Sequence, residues 1–281
     1  MMMRFHLFRI SVLSILLLFM LPLAIAQSPQ RLVTLGGSVT EIVFALGAGK
    51  LVVGTDQSSL YPLEATMLPS VGYYRHLPVE GVAAMRPSLV LASDHAGPPS
   101  AMAQIKALGI PVETVSDQPT IDSLNVRIRQ IANALGLQQA GESLIMQIEQ
   151  ERLAAFNLPI QNRSAMLVVM RSGKLLGAGG DTAANTVIQQ AGLRNVLESL
   201  KSYQAITPEA VSTLAPEVII VTSSTVKAMG GLEQIKADLS LVHTPAVKND
   251  RVIELEDLLA QGFGPRSAEA TVKIRKALSY D

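Results

Sequence analysis

The chain has 281 residues, with 23 Lys plus Arg against 23 Asp plus Glu, and neither cysteine nor tryptophan. The missing cysteines exclude a disulfide-stapled scaffold and a thiolate zinc site, and the balanced charge lacks the basic excess that nucleic-acid binding needs. With 48% hydrophobic residues the chain is suited to a folded core rather than to disorder, and its length suits one or two domains.

Residues 1–26 read as a signal peptide that is cleaved off. Arg4 and Arg9 form a basic start, Ile10 to Leu23 is almost wholly apolar, and Ala24-Ile25-Ala26 is an A-x-A cleavage pattern. The apolar run, about 14 residues, falls short of the ~20 that span a bilayer. Cleavage removes two arginines and no acid, so a neutral chain becomes slightly acidic. No cysteine stands at the cleavage site to take a lipid. An exported, unlipidated and soluble protein is expected in the periplasm.

In the mature chain, Arg31 to Leu35 reads as a strand. Ser38-Val39-Thr40-Glu41 has capping-box spacing and predicts a helix through Leu46, stopped by Gly47. Leu51 to Thr55 is a second strand, Pro78 to Met85 a short helix and Leu89 to Ala92 a buried strand. Met102 to Leu108 is a helix ending at Gly109, and Val112 to Val115 another strand. Strands alternating with helices predict an α/β lobe with a mostly parallel sheet. Ile121 to Leu135 is helical and stops at Gly136. A proline-free helix follows over about 138–156, with Leu137, Ala140, Leu144, Ile148 and Phe156 near helical spacing. Alternation then resumes. Ala165 to Met170 is a strand, Thr182 to Ala191 a helix, Val218 to Val221 and Arg251 to Leu255 strands, and Ala268 to Leu278 a last helix.

An internal echo supports two related lobes. Glu80 matches Glu209, Val82 matches Val211 and Pro87 matches Pro216, all at one offset of 129 residues. Each copy is a short helix, a proline turn and a buried strand. The predicted fold is therefore α/β, with two Rossmann-like lobes of mostly parallel sheet joined by a single long backbone helix. The expected boundaries are 27–136 for the N-terminal lobe, 137–158 for the helix and 159–281 for the C-terminal lobe, with a ligand cleft between lobes.

The densest polar-aromatic cluster is Gly72-Tyr73-Tyr74-Arg75-His76. If it is extended, Tyr73 and Arg75 share one side, and Tyr74 and His76 the other. A phenolate suits ferric iron and is a known axial haem ligand type. Its pKa of about 10 means that a cation or an arginine must stabilise it. The same residues also suit a surface loop whose aromatics pack on the lobe.

The cluster opens a wider pattern: Gly72-Tyr73-x-Arg75-x-Leu77, Glu80-Gly81, and Pro87-Ser88-Leu89-Val90-Leu91-Ala92-Ser93. Then come Gly179-Gly180-x-Thr182-Ala183-Ala184, Ala191-Gly192-x-x-Asn195, and Gly262-Phe263-Gly264-Pro265-Arg266. Across essentially the whole mature chain this resembles the periplasmic haem-binding proteins of bacterial haem ABC importers. Those belong to the broader cobalamin, siderophore and haem-type binding proteins. The resemblance implies haem as a transported ligand, Tyr73 as the iron ligand, Arg75 as its partner, and Tyr74 as the rival ligand. It implies that Glu80 and Glu209 dock on an inner-membrane permease; favourable placement at a helix start explains the same glutamates without docking. An outer-membrane haem receptor system would lie upstream. Gly179, Gly180 and Thr182 suit either a haem propionate at a helix start or a plain turn with an N-cap. Arg266 suits either a propionate or the stability of the second lobe. His95, just past a strand end, is a candidate for the pocket wall or for a solvated loop. Some relatives add a histidine from the second lobe, where this chain has only His243 in a different setting.

No G-x-S-x-G, H-E-x-x-H or catalytic cysteine occurs, so no enzyme is expected. The competing reading on the same fold is a cobalamin or ferric-siderophore binding protein. The lack of tryptophan weighs against cobalamin.

Overall fold

A computed structural model describes residues 30–159 and 162–279 of the chain. The leader read over residues 1–26 lies outside them. The first lobe runs β1 (Leu32–Leu35), α1 (Gly37–Ala45), β2 (Val52–Thr55), α2 (Leu63–Thr66), α3 (Val79–Ala84), β3 (Leu89–Ser93), α4 (Pro99–Ala107), β4 (Val112–Val115) and α5 (Ile121–Leu135). Its sheet is parallel throughout, in the order β2-β1-β3-β4. β1 and β3 are near-continuous apolar runs because both faces of this sheet are covered. Leu32 and Leu91 pack against α1 and α5, while Val33, Leu35, Val90 and Ala92 pack against Val82 of α3 and Ile105 of α4.

The long helix α6 (Gln138–Phe156) is about 28 Å long at 1.5 Å per residue. It packs against α5 and against α13 (Ser267–Leu278), one helix from each lobe. Gly141 permits the first contact, since a Cβ there would lie 2.7 Å from the Ala132 methyl.

Between them, the second lobe runs β5 (Ser164–Arg171), β6 (Lys174–Ala178), α7 (Ala183–Gln190), β7 (Arg194–Asn195), β8 (Tyr203–Ala205), α8 (Pro208–Leu214), β9 (Val218–Thr222), α9 (Ser223–Met229), α10 (Leu232–Lys236), α11 (Pro245–Lys248), β10 (Val252–Leu255) and α12 (Asp257–Gln261). β7, β5, β9 and β10 pair in parallel, as β2, β1, β3 and β4 do. The offset of 129 holds in three dimensions: β3 starts at Leu89 and β9 at Val218, α3 at Val79 and α8 at Pro208. Arg86 and Ala215, each just before the shared proline, turn off their helices with φ of 45° and 44°.

The second sheet also carries an antiparallel extension that sequence alone did not predict. β6 folds back on β5, and β8 pairs antiparallel with β6. The hairpin turn is Ser172-Gly173, both at positive φ, the geometry whose twist suits two-residue hairpins.

The predicted capping box at Ser38 and Glu41 does not form. α1 begins two residues earlier than a Ser38 cap implies, with Gly36 at its N-cap and no side-chain cap. Ser38 instead accepts a hydrogen bond from Arg127, and Glu41 accepts from Arg266. Tertiary partners outcompete the local cap because both side chains are buried.

Candidate functional site

A cavity of about 530 Å³ opens between the lobes. Its first-lobe wall is built on the segments that follow the carboxyl ends of the strands: Gly37 and Ser38 after β1, Ser58 after β2, His95 after β3 and Asp117 after β4. The opposite wall carries Arg171 at the end of β5, Thr182 before α7, Tyr203 at the start of β8, and Asp257 and Phe263 after β10. Carboxyl ends of strands are where α/β sheets offer exposed amides and variable loops.

Tyr73 stands at the mouth of this cavity with 40% of its surface exposed. The segment is not extended as the sequence suggested. Gly72 turns the chain at φ 101°, where a Cβ would meet the Pro78 ring at 2.8 Å. Tyr74–His76 then form a tight 3-10 turn. With three residues per turn, Tyr73 and His76 fall on one side, and their rings lie 6.2 Å apart. Tyr74 points inward, is 8% exposed and packs with Val71, Leu77 and Val82. The predicted Tyr73–Arg75 pairing is therefore corrected: the Arg75 Nε donates to the Tyr74 phenol oxygen at 2.9 Å. Burial pushes the Tyr74 phenol up to about 12, against the opposing pull of Arg75. Tyr74 is thus held as a neutral acceptor for Arg75, while Tyr73 presents its phenol to the cleft.

The second-lobe wall answers with a pair that sequence reasoning missed. The Arg171 guanidinium stacks 4.1 Å from the Tyr203 ring centre and donates to Gln261 at 3.1 Å. Burial raises the Tyr203 phenol, and Arg171 and then Arg75 of the facing lobe pull it down. The two walls are therefore near enough to interact. The available signal was the Ser172-Gly173 turn beside Arg171.

Of the other expected residues, His95 and Thr182 line the cavity. The His95 Nδ1 lies 3.7 Å from Asp94 and 3.9 Å from Asp117. Thr182 caps α7 by accepting from the Asn185 amide. Gly179 and Gly180 do not serve as an anion cradle. Their amides donate to the carbonyls of Ser202 and Leu200, both at 2.8 Å. A Cβ at Gly180 would lie 2.0 Å from the Glu198 carbonyl oxygen. These glycines exist for close backbone packing. Arg266 is also absent from the cavity wall: it is caged by Glu41, Glu256 and Glu269 and stacks 3.4 Å from the Tyr61 ring centre. Glu80 and Glu209 are exposed in the first turns of α3 and α8. Among the described residues no cluster of three or more His, Asp or Glu could hold a metal ion, and no helix is long and apolar enough to cross a membrane.

This two-lobed frame matches the periplasmic binding protein family model over residues 32–258. The chain belongs to that family. The apo structure of the periplasmic heme-binding protein RhuT from Roseiflexus sp. RS-1 is 36% identical, with a TM-score of 0.84 over 88% of this chain and 97% of that one. The periplasmic heme-binding protein BhuT, solved with two hemes, is 35% identical, with a TM-score of 0.83 over 89% and 98%. Two curated relatives widen the range. An uncharacterised ABC transporter substrate-binding lipoprotein, YvrC of Bacillus subtilis, is 28% identical over 92% of this chain and 82% of its own. The vitamin B12-binding protein of Vibrio parahaemolyticus is 25% identical over 92% of both. All are binding components rather than catalysts by name. This periplasmic binding protein thus shares its fold with proteins named for binding heme.

Proposed function

We propose that this periplasmic binding protein carries haem in the interlobe cleft, with the Tyr73 phenolate on the ferric iron. The observation that carries the reading is Tyr73 itself: an exposed phenol at the cleft, between walls that bear Arg75 and Arg171. Ferric iron and nearby guanidinium groups both favour the ionised phenol. The two arginines offer charge-assisted hydrogen bonds to propionates. A cavity of about 530 Å³ suits a small-molecule ligand of this class. The identities to the heme-binding structures, 36% and 35%, exceed the 25% to the B12-binding relative. Cobalamin or a ferric siderophore is the second reading, favoured by that B12-binding relative over 92% of both chains.

The deciding experiment adds ferric haem to the purified mature protein and follows the absorption spectrum, with cyanocobalamin as the comparison ligand. A tyrosinate-type spectrum in the wild type, lost in Tyr73→Phe and kept in Tyr74→Phe, is expected. An unchanged haem spectrum with saturable cyanocobalamin binding would overturn the assignment.

In this reading the protein works in the periplasm, downstream of an outer-membrane haem receptor system, and catalyses nothing. It delivers its cargo to an inner-membrane ABC permease. Glu80 and Glu209 occupy equivalent, exposed helix starts on the two lobes, which suits a two-point contact with basic residues. Reversing both, Glu80→Lys with Glu209→Lys, is expected to abolish haem uptake in cells while haem affinity in solution stays unchanged. Loss of haem binding in the double variant would count against docking.

A further inference from the structure

The segment Gly262–Arg266, which leaves α12 in the second lobe, is anchored in the first. Phe263 is 3% exposed and packs among Val39, Ile42, Leu124 and Ile128 of the first-lobe core. Its carbonyl accepts from the Arg127 Nη1 at 3.0 Å, a guanidinium with no exposed surface that also pairs with Asp117. Three residues on, the Arg266 amide and Nε both donate to one oxygen of Glu41, at 3.1 and 3.2 Å. Gly264 lies so close to α1 that a Cβ would stand 3.0 Å from the other Glu41 oxygen. Gly262 and Phe263 line the cleft, as do Gly37 and Ser38 on the same α1 that carries Glu41. What holds this segment to α1 therefore sets the spacing of the cleft floor.

Arg266 is shared between the lobes. Its Nη atoms donate to Glu256 of its own lobe at 2.9 and 3.0 Å, and Glu269 lies 3.5 Å away. Glu41 is the first-lobe competitor, 4% exposed. We propose that Glu41 and Arg266 form a proton-gated tether across the lobes, tight when Glu41 is ionised and released to Glu256 and Glu269 when it is protonated. Burial pushes the Glu41 carboxyl up to about 7, against the pull of Arg266, while Glu256 raises it further. Arg127 of α5 also faces it electrostatically. A second cavity on its outer side adds Lys50, Glu64 and Glu151 to the charges around it.

Two consequences carry opposite signs. The tether strengthens as pH rises through the range of this carboxyl. The global stability that Glu41 contributes is fully present below its unfolded value of 4.5 and is lost as pH rises through about 7, because the folded state binds the proton more tightly. A residue with a merely structural role would not couple a looser cleft to a more stable fold.

The absence of cysteine makes the test direct. Spin labels are attached at Gln104→Cys in α4 and Lys248→Cys in α11, both exposed, and interlobe distances are read by pulsed electron resonance at about pH 5.5 and about pH 8.5. The wild type is expected to give a narrow distribution at the higher pH and a broader one at the lower. Glu41→Gln should be broad at both, and Glu256→Gln should keep the narrow distribution to lower pH. A wild-type distribution that ignores pH, a pH response that survives Glu41→Gln, or a Glu256→Gln response equal to the wild type would each overturn the tether. No ligand is present in these measurements, so their outcome is independent of whether the cargo is haem.

Discussion

The two walls of the cleft share a frame and differ in how they present their chemistry. In the first lobe, Tyr73 and Arg75 sit on a loop tightened by a 3-10 turn, beside an all-parallel sheet. In the second, Arg171 ends β5 where the hairpin to β6 begins, and Tyr203 starts β8 on the antiparallel extension that β6 and β8 add to the same parallel core. The repeated helix, proline turn and strand recur at one sequence offset and carry none of these four residues. The repeat supplies the scaffold, and the segments outside it supply the residues proposed for the site. Each wall pairs an arginine with a tyrosine ring, but the Arg75 Nε donates to the phenol of that tyrosine, whereas Arg171 donates to Gln261 instead.

That comparison can be broken in several places. Tyr73→Phe should weaken haem binding by about 100-fold, near 2.7 kcal/mol, measured by spectral titration. Equal affinity would remove the first wall from the site. Gly180→Ala should cost about 2 kcal/mol in urea unfolding, because its new methyl meets the Glu198 carbonyl rather than a flexible side-chain end. A smaller stability loss coupled to weaker haem binding would restore the glycine turn as a cargo cradle. Arg171→Met should reduce haem affinity about tenfold with unfolding unchanged, which would make the second wall a true partner of the first. Tyr74→Phe should change affinity less than about threefold, since Tyr74 is 8% exposed and the hydrogen bond it loses to Arg75 is worth only ~1 kcal/mol.

Much of the fold was legible locally. The helix over Ile121–Leu135 and its stop at Gly136 follow from periodicity and a residue that takes the left-handed conformation at φ 71°. The bounds of α6 follow from an uninterrupted helical pattern. β3 and β9 follow from apolar runs set off by proline. Less of the site was legible. The Tyr73 cluster was conspicuous in a chain with five tyrosines, but the alternation assumed for it failed because Gly72 and the turn after it rotate Tyr74 into the core. Arg266 and the Gly179-Gly180 pair read equally well as cargo contacts or as structure. Their fates hang on Glu41, at a separation of 225 residues, and on the Glu198–Ser202 segment.

By itself, the sequence determined the alternation of strands and helices, the repeated unit at its fixed offset and the long helix between lobes. These depend on side-chain periodicity, on prolines and glycines, and on contacts within a turn or two. Only the tertiary structure decided which of the two cleft tyrosines is exposed and which is buried, that Arg171 and Tyr203 oppose them, and that Glu41 leaves its apparent cap for Arg266. Those outcomes are competitions for the few partners available to buried polar groups, and the partners come from distant parts of the chain.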